Sequence, residues 1–249
     1  MLARSDGSRL VCRSFEIEKL RKELNCFRQF HPPNMNKLDL VSFLKSKHIE
    51  ASLVDRLKIA YRPMICPLDE LLELITPHSK VFDIGCGSGQ FCLLVAGFTQ
   101  ADAIGGIEIT ASLIKNAREL LGEYSTKKDI YFETYDGSHI PDMIANYDLV
   151  FMIDVVHHIP RNKLQFFVEQ LAWKMSKNAR LVVKDIDASS FWVFGNKLHD
   201  MIISGEKSDE WKATELQGLL ERAGFKTVLF TKRRVLWYPH FTLVLQKIP

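Results

Sequence analysis

The stretch Val81-Phe82-Asp83-Ile84-Gly85-Cys86-Gly87-Ser88-Gly89-Gln90-Phe91 decides how this chain folds. Val81 to Ile84 is a short apolar run, three glycines follow at alternate positions, and Phe91, Leu94, Val95 and Phe98 then recur at helical spacing. The pattern reads as strand, tight turn and helix. Glycine in the turn permits positive φ and lets a ligand approach the main chain without meeting a Cβ, so the turn is a candidate binding loop. A dinucleotide-binding turn has the spacing G-x-G-x-x-G and seats a pyrophosphate on the helix N-terminus. Here Gly89 comes one residue early, Gln90 takes its place, and Asp83 stands two residues before the first glycine. A carboxylate there suits a ligand that is not a polyphosphate.

Downstream of the loop, apolar runs at 103–109, 130–135, 147–153 and 179–185 read as strands. They alternate with helical patterns at 90–98, 111–122, 138–145 and 162–176. Such alternation predicts parallel βαβ units with right-handed crossovers. After Ile186 the order changes to an aromatic helix at 190–203 and a helix at 214–223 with Thr214 and Gln217 as capping box. Two strands then close the chain at 225–231 and 241–247, joined by a short link that makes a hairpin. Upstream, three helical patterns fill residues 15–60: Ile17, Leu20, Leu24 and Phe27; then Leu38, Val41, Phe43 and Leu44; then Leu53, Leu57 and Ile59, capped at Ser52 with Asp55 three residues on. A fourth helix starts at Pro67 and runs to Ile75. The expectation is an α/β, doubly wound, seven-stranded mostly parallel sheet with an antiparallel last strand. An N-terminal helical lid covers residues 1–62, the core spans 63–249, and an aromatic insertion lies at 188–213.

Composition narrows the partners. Lys+Arg 33 against Asp+Glu 30 gives +3, too balanced for a nucleic-acid surface, and the cluster Lys232-Arg233-Arg234 reads as a solvated turn. The five cysteines, Cys12, Cys26, Cys66, Cys86 and Cys92, form neither a C-x-x-C pair nor an even disulfide framework, which suits a reducing cytosol. No apolar run approaches the ~18 residues needed to span a bilayer. A cytoplasmic protein without stable membrane insertion, monomer or homodimer, is expected.

The residues D-I-G-C-G-S-G at 83–89 resemble motif I of the class I S-adenosylmethionine-dependent methyltransferases, and later segments carry the resemblance from about residue 62 to the C-terminus. Glu108 agrees with it, 19 residues past Gly89 at a strand end, where an acidic group holds both ribose hydroxyls. The run Y-D-L-V-F at 147–151 resembles the family's F-D-L-V strand, and H-H-I-P at 157–160 is similar to small-molecule enzymes such as the quinone-biosynthesis methyltransferases. The family carries [DN]-P-P-[YF] after this strand when the acceptor is a nucleobase or glutamine amine; this chain has D-V-V-H at 154–157. The resemblance therefore implies S-adenosyl-L-methionine as cofactor and a small-molecule or lipid-like acceptor, methylated on oxygen or carbon, and no nucleic acid.

It also implies a set of cofactor contacts: Asp83, Gly85, Cys86, Gly87 and Gly89 in the loop, Glu108 and Ile109 at the ribose and adenine, and Asp136, Gly137 and Ser138 beside the adenine ring. Asp154 and Val155 lie beside the methionine part. Apart from the resemblance, Arg62 stands in Tyr61-Arg62-Pro63, the stretch that joins the lid helices to the core, within reach of the cofactor carboxylate as a charge-assisted pair. Each has a plainer reading: Asp136-Gly137 is also a common turn, Asp154 a helix cap, and Arg62 a surface arginine at a helix end. Phe191, Trp192, His199, Trp237 and Tyr238 are candidate acceptor contacts, or core packing; Phe194 and Trp211 belong to the same aromatic set. Methyl transfer from a sulfonium is a direct displacement and needs alignment and dryness; it needs a base only when the acceptor sheds a proton. His157 and His158 are the candidate bases, one of them expected to be structural, and Asp185 is the candidate catalytic carboxylate. Strand alternation points Asp185 and Asp187 to one side, toward the acceptor pocket or solvent, but no third ligand stands at a recognisable spacing and no metal is expected. Two other classes compete: a nicotinamide-dependent oxidoreductase, which needs the longer glycine spacing, and a non-catalytic cofactor-binding subunit of the same fold.

Overall fold

The computed structural model describes residues 36–47, 53–187, 211–236 and 238–248. The expected helices at 15–30 and 190–203, the Ser52 cap, and candidate residues Phe191, Trp192, His199 and Trp237 lie outside the described residues.

Seven strands form one sheet in the order β3-β2-β1-β4-β5-β7-β6. They are β1 (Lys80–Ile84), β2 (Ala103–Glu108), β3 (Asp129–Thr134), β4 (Leu149–Ile153), β5 (Arg180–Ile186), β6 (Phe225–Val235) and β7 (Tyr238–Lys247). β1 pairs parallel with β2 and β4, β2 with β3, and β4 with β5; β7 is antiparallel to both β5 and β6. This is the expected doubly wound sheet with one reversed strand. The hairpin is longer than its apolar pattern announced, because β6 continues through Lys232, Arg233 and Arg234. These are strand residues: Lys232 Nζ lies 2.6 Å from Asp187 Oδ2, and Arg233 pairs with Glu70.

Central strands are apolar on both faces because helices cover both. Val81, Phe151, Ile153, Val182 and Val244 face one core cluster with α1 (Lys37–Ser46), α3 (Leu68–Leu72), α4 (Gln90–Phe98) and α5 (Ala111–Leu121). Their alternates Phe82, Ile84, Val150, Met152, Leu181, Val183, Leu243 and Leu245 face the other, with α6 (Arg161–Lys174) and α7 (Ala213–Arg222). The period of two thus assigns every strand residue to a face.

Four helix expectations change. Residues 138–145 form only a short 3-10 turn, Asp142–Asn146, since Pro141 starts it and a carboxylate-held turn at Asp136 precedes it. The helix after Pro67 stops at Leu72 rather than Ile75. At α7 no side chain caps the start, and Gln217 Nε2 donates to Glu221 one turn on. Most consequential is α2 (Leu53–Ile65), which runs straight through Tyr61-Arg62-Pro63, the stretch expected to be a junction. Proline removes the N–H that would bond the carbonyl four residues back, here Ile59 O. Gln90 Nε2 donates to that same carbonyl. The helix survives its proline because the core supplies the missing donor.

Candidate active site

The glycine loop leaves β1 with Gly85, Gly87 and Gly89 all at positive φ. Their surroundings separate three roles. A Cβ on Gly85 would come within 2.5 Å of Val155 Cγ2, and one on Gly89 within 2.8 Å of Ala117 Cβ, so these two permit close packing of the loop on its neighbours. A Cβ on Gly87 would meet nothing within 4 Å. The open space that a bound ligand needs is therefore at Gly87.

Glu108, at the end of β2, ties the loop down: its Oε2 accepts from Gly87 N at 3.2 Å and its Oε1 from Thr110 N at 3.2 Å. A carboxylate has about four lone-pair sites, so room remains for two hydroxyls. Ile109 beside it is 61% exposed and offers an apolar face on which a flat ring can lie. Gly137 approaches that isoleucine from the third strand's end. Asp136 Oδ1 accepts from Ser138 N at 2.8 Å and His139 N at 2.7 Å, and Oδ2 pairs with His139 Nδ1. Those bonds hold its carboxylate well below the usual range, and they make the D-G turn of the plainer reading.

Beneath the loop, Asp83 is buried, and its Oδ1 has no hydrogen-bond partner. Burial pushes it up to about 7, with Arg62 opposing the rise. A buried carboxylate oxygen lacking a donor fits an ammonium group arriving with the ligand. Cys86 and Cys92 are buried free thiols beside it, both raised by burial.

At the ends of β4 and β5, side chains do what backbone does at the loop. Asp154 adopts φ 57, a conformation that costs a non-glycine residue about 1–3 kcal/mol and persists where surroundings over-determine it. Its Oδ2 accepts from Arg62 Nη2 at 3.0 Å and its Oδ1 from Lys184 Nζ at 2.6 Å. Burial opposes its ionisation, but Lys184 and Arg62 together hold it far below the usual carboxylate range. The helix-cap reading of Asp154 is replaced, since the 3-10 turn Val156–His158 has no side-chain cap; Arg62 does stand in the last turn of α2 with its side chain 37% exposed, and its guanidinium is bonded to Asp154. Lys184, 1% exposed, is a functional residue that the sequence reading misses. The signal was present: a lysine inside the apolar strand Leu181-Val182-Val183-Lys184 must find a buried partner.

Facing them on the other side of β5, His157 Nδ1 donates to Asp185 Oδ1 at 2.6 Å, and both side chains are nearly buried. Asp185 Oδ2 accepts from His157 N at 3.3 Å and Oδ1 from Ile186 N at 2.8 Å. This fixes the ring and its tautomer, with Nε2 as the basic nitrogen. His158 is exposed and rests on His157, ring centroids 4.1 Å apart. Asp187 does not join Asp185 at a pocket or in solvent: it is buried against Lys232, and its Oδ1 accepts from Ala213 N at 3.4 Å. Among the described residues no cluster of His, Cys, Asp and Glu forms a metal site. Tyr238 is buried and stacks on His240, centroids 6.1 Å apart; His240 itself carried no sequence signal beyond standing in an apolar strand.

A seven-stranded sheet with a reversed β7, an open glycine loop and an acidic β2 end defines a class of nucleoside-binding α/β enzymes. The model of the family described as "Methyltransferase domain" matches residues 57–229, more than half of the chain. This chain belongs to that methyltransferase family, whose cofactor is S-adenosylmethionine. Among its relatives, O-methyltransferase cnsE of Penicillium expansum is 25% identical over 159 residues, 62% of this chain and 54% of that protein. The 27-O-demethylrifamycin SV methyltransferase of Amycolatopsis mediterranei is 26% identical over 107 residues, 43% of this chain and 38% of its own. The chain thus spans about half the length, or less, of these curated relatives. Magnesium protoporphyrin IX methyltransferase from Synechocystis PCC 6803, solved with bound SAH, superposes with a TM-score of 0.62 at 17% identity, covering 86% of this chain and 95% of that one. Among the described residues no helix is long and apolar enough to cross a membrane.

Proposed function

We propose that this protein transfers a methyl group from S-adenosylmethionine to a hydroxyl, or to an acidic carbon, of a small hydrophobic acceptor. The observation that carries the reading is the His157–Asp185 pair, 2.6 Å apart at the strand ends beside the cofactor loop. A carboxylate acceptor needs no base, and an amine loses its proton before it reacts. A hydroxyl near neutral pH does need one, and an imidazole oriented by a buried carboxylate supplies it. His157 Nε2 takes the acceptor proton as the oxygen attacks; Asp185 holds the ring and stabilises the imidazolium. His158 packs against the ring at a tilt.

The residues present fit the cofactor. Gly87 leaves its backbone open to the methionine part, Asp83 Oδ1 receives the ammonium, Arg62 the carboxylate, Glu108 the ribose hydroxyls, and Ile109 with Gly137 the adenine face. Bound there, the cofactor supplies an electrophilic methyl on a sulfonium. Asp154 lies beside it, its negative charge moderated by Lys184 and Arg62. One curated relative is named for a small molecule, 27-O-demethylrifamycin SV, and another as an O-methyltransferase, which supports the acceptor class and a reading without nucleic acid. We further infer that the N-terminal helices roof this cleft, since α2 brings Arg62 to it. The 62/63 boundary drawn from sequence falls inside α2, so the roof and the core share that helix.

The test is turnover with labelled cofactor on a panel of phenols, aliphatic alcohols, carboxylic acids and amines, read by product mass. His157→Gln and Asp185→Asn should each lower turnover on a hydroxyl acceptor by roughly 100-fold or more while S-adenosylhomocysteine binds as before. Preferred methylation of carboxylates or amines, indifferent to His157, would overturn it.

A further inference from the structure

Helix α2 leaves two carbonyl groups for the core to satisfy. Ile59 O lost its partner to Pro63 and receives Gln90 Nε2. Ile65 O, the last carbonyl of the helix and one of the four that any helix leaves open, receives His240 Nε2 at 2.8 Å. Between these two fixed points, 3 residues before one end, stands Arg62 with its bond to Asp154. The strand register explains why His240 is the residue that reaches. His240 pairs with Ile186 and Thr242 with Lys184, so His240 and Lys184 share the sheet face that α2 covers, two positions apart along the ladder. The ring is buried, 4% exposed, and Nδ1 has no hydrogen-bond partner. Burial and the nearby Lys184 lower its pKa to about 4. The imidazole is thus neutral, and a carbonyl can only accept, so the one ring proton sits on Nε2 and points at Ile65 O.

We propose that His240 is a positioning residue of the cofactor site: as a fixed donor to the last turn of α2 it sets where Arg62 stands for the cofactor carboxylate. Gln90 holds the same helix six residues earlier, from the first position after the glycine loop. The two clamps join α2 to β7 on one side and to the loop on the other. α2 also packs on α1, but the His240 bond is at its last carbonyl, so without it the turn that carries Arg62 can shift, and a carboxylate contact is lost over a displacement of about 1 Å. The inference rests on the assignment of Arg62 to that carboxylate.

Two ligands test it by calorimetry on the full chain: S-adenosylhomocysteine, which carries the carboxylate, and 5′-methylthioadenosine, which lacks the whole amino-acid part. His240→Asn is polar but too short to place a donor at the Nε2 position; His240→Gln places an amide donor there. His240→Asn should weaken S-adenosylhomocysteine roughly tenfold and leave 5′-methylthioadenosine unchanged; His240→Gln should restore most of the loss; and in an Arg62→Ala background His240→Asn should add nothing. Equal loss for both ligands would make His240 merely structural and overturn the proposal. So would wild-type binding in His240→Asn when Arg62→Ala alone weakens the homocysteine ligand. If Arg62→Ala leaves that ligand's affinity intact, the carboxylate assignment itself falls, and the positioning role with it.

Discussion

The two halves of the proposed site, the glycine loop and the charged cluster at the ends of β4 and β5, are built from different materials. Around Gly87 the binding surface is backbone, shaped within one eleven-residue stretch and held by one carboxylate, Glu108. Across β4, β5 and β7 the surface is side chains, Arg62, Asp154, His157, Lys184, Asp185 and His240, drawn from elements far apart in the chain and tied by buried charge. A backbone site tolerates little change in shape but carries little electrostatic stress. A charged side-chain site depends on every member, because removing one leaves another buried and unpaired.

The contrast can be broken first at Lys184. With the ammonium gone, Asp154 keeps only Arg62 in a half-buried site. We expect Lys184→Ala to lower unfolding free energy by about 3–5 kcal/mol, measured by urea denaturation. A loss below 1 kcal/mol would mean that the cluster is hydrated and the two halves are alike.

Within the loop the same contrast recurs on a smaller scale. Gly87→Val should abolish S-adenosylhomocysteine binding while the circular dichroism stays native, since its Cβ enters open space and only the left-handed backbone, about 1–3 kcal/mol, is penalised. Gly85→Ala and Gly89→Ala should instead act on stability, by about 1–3 kcal/mol, through Val155 and Ala117. Native-like stability in both alanine variants would dissolve the distinction.

Glu108→Ala should weaken S-adenosylhomocysteine by about 1–3 kcal/mol, and an analogue without ribose hydroxyls by much less. Equal penalties would move Glu108 away from the ribose and leave it a loop tether only.

The smallest effect sharpens the border between the halves, at Asp83. Because its folded pKa is raised to about 7, chiefly by burial, the free protein holds a partial proton there at neutral pH. A bound ammonium favours the carboxylate, so cofactor binding should release a fraction of a proton near pH 7, and affinity should rise as pH climbs through that value. Calorimetry in buffers of different ionisation enthalpy reads the release, and Asp83→Asn should remove it. Proton uptake would place the ammonium elsewhere. On its own the raised pKa has the opposite sign for stability: the unfolded state loses this proton near 3.8 and the folded state near 7, so Asp83 contributes stability at low pH that is lost between those values.

The sequence by itself determined the sheet and the glycine loop, because these depend on neighbours in the chain. Alternation fixes strand faces, glycine spacing fixes the turn, and Glu108 lies one βαβ unit from the loop it serves. Aspartate and histidine at the ends of β4 and β5 were also legible, as residues; what they do was not. Only the tertiary structure decided that Asp185 belongs to His157 and Asp187 to Lys232, that Asp136 is used by its own turn, and that helix α2 passes through Pro63 because Gln90 stands opposite Ile59 O. Lys184 and His240 acquire their meaning the same way. Each is a polar residue in an apolar strand whose partner, Asp154 or Ile65, sits on an element that only folding brings near. Local pattern encodes which face a side chain takes; the partner it meets there is set by register, crossover and the packing of helices onto the sheet, which no short stretch of sequence contains.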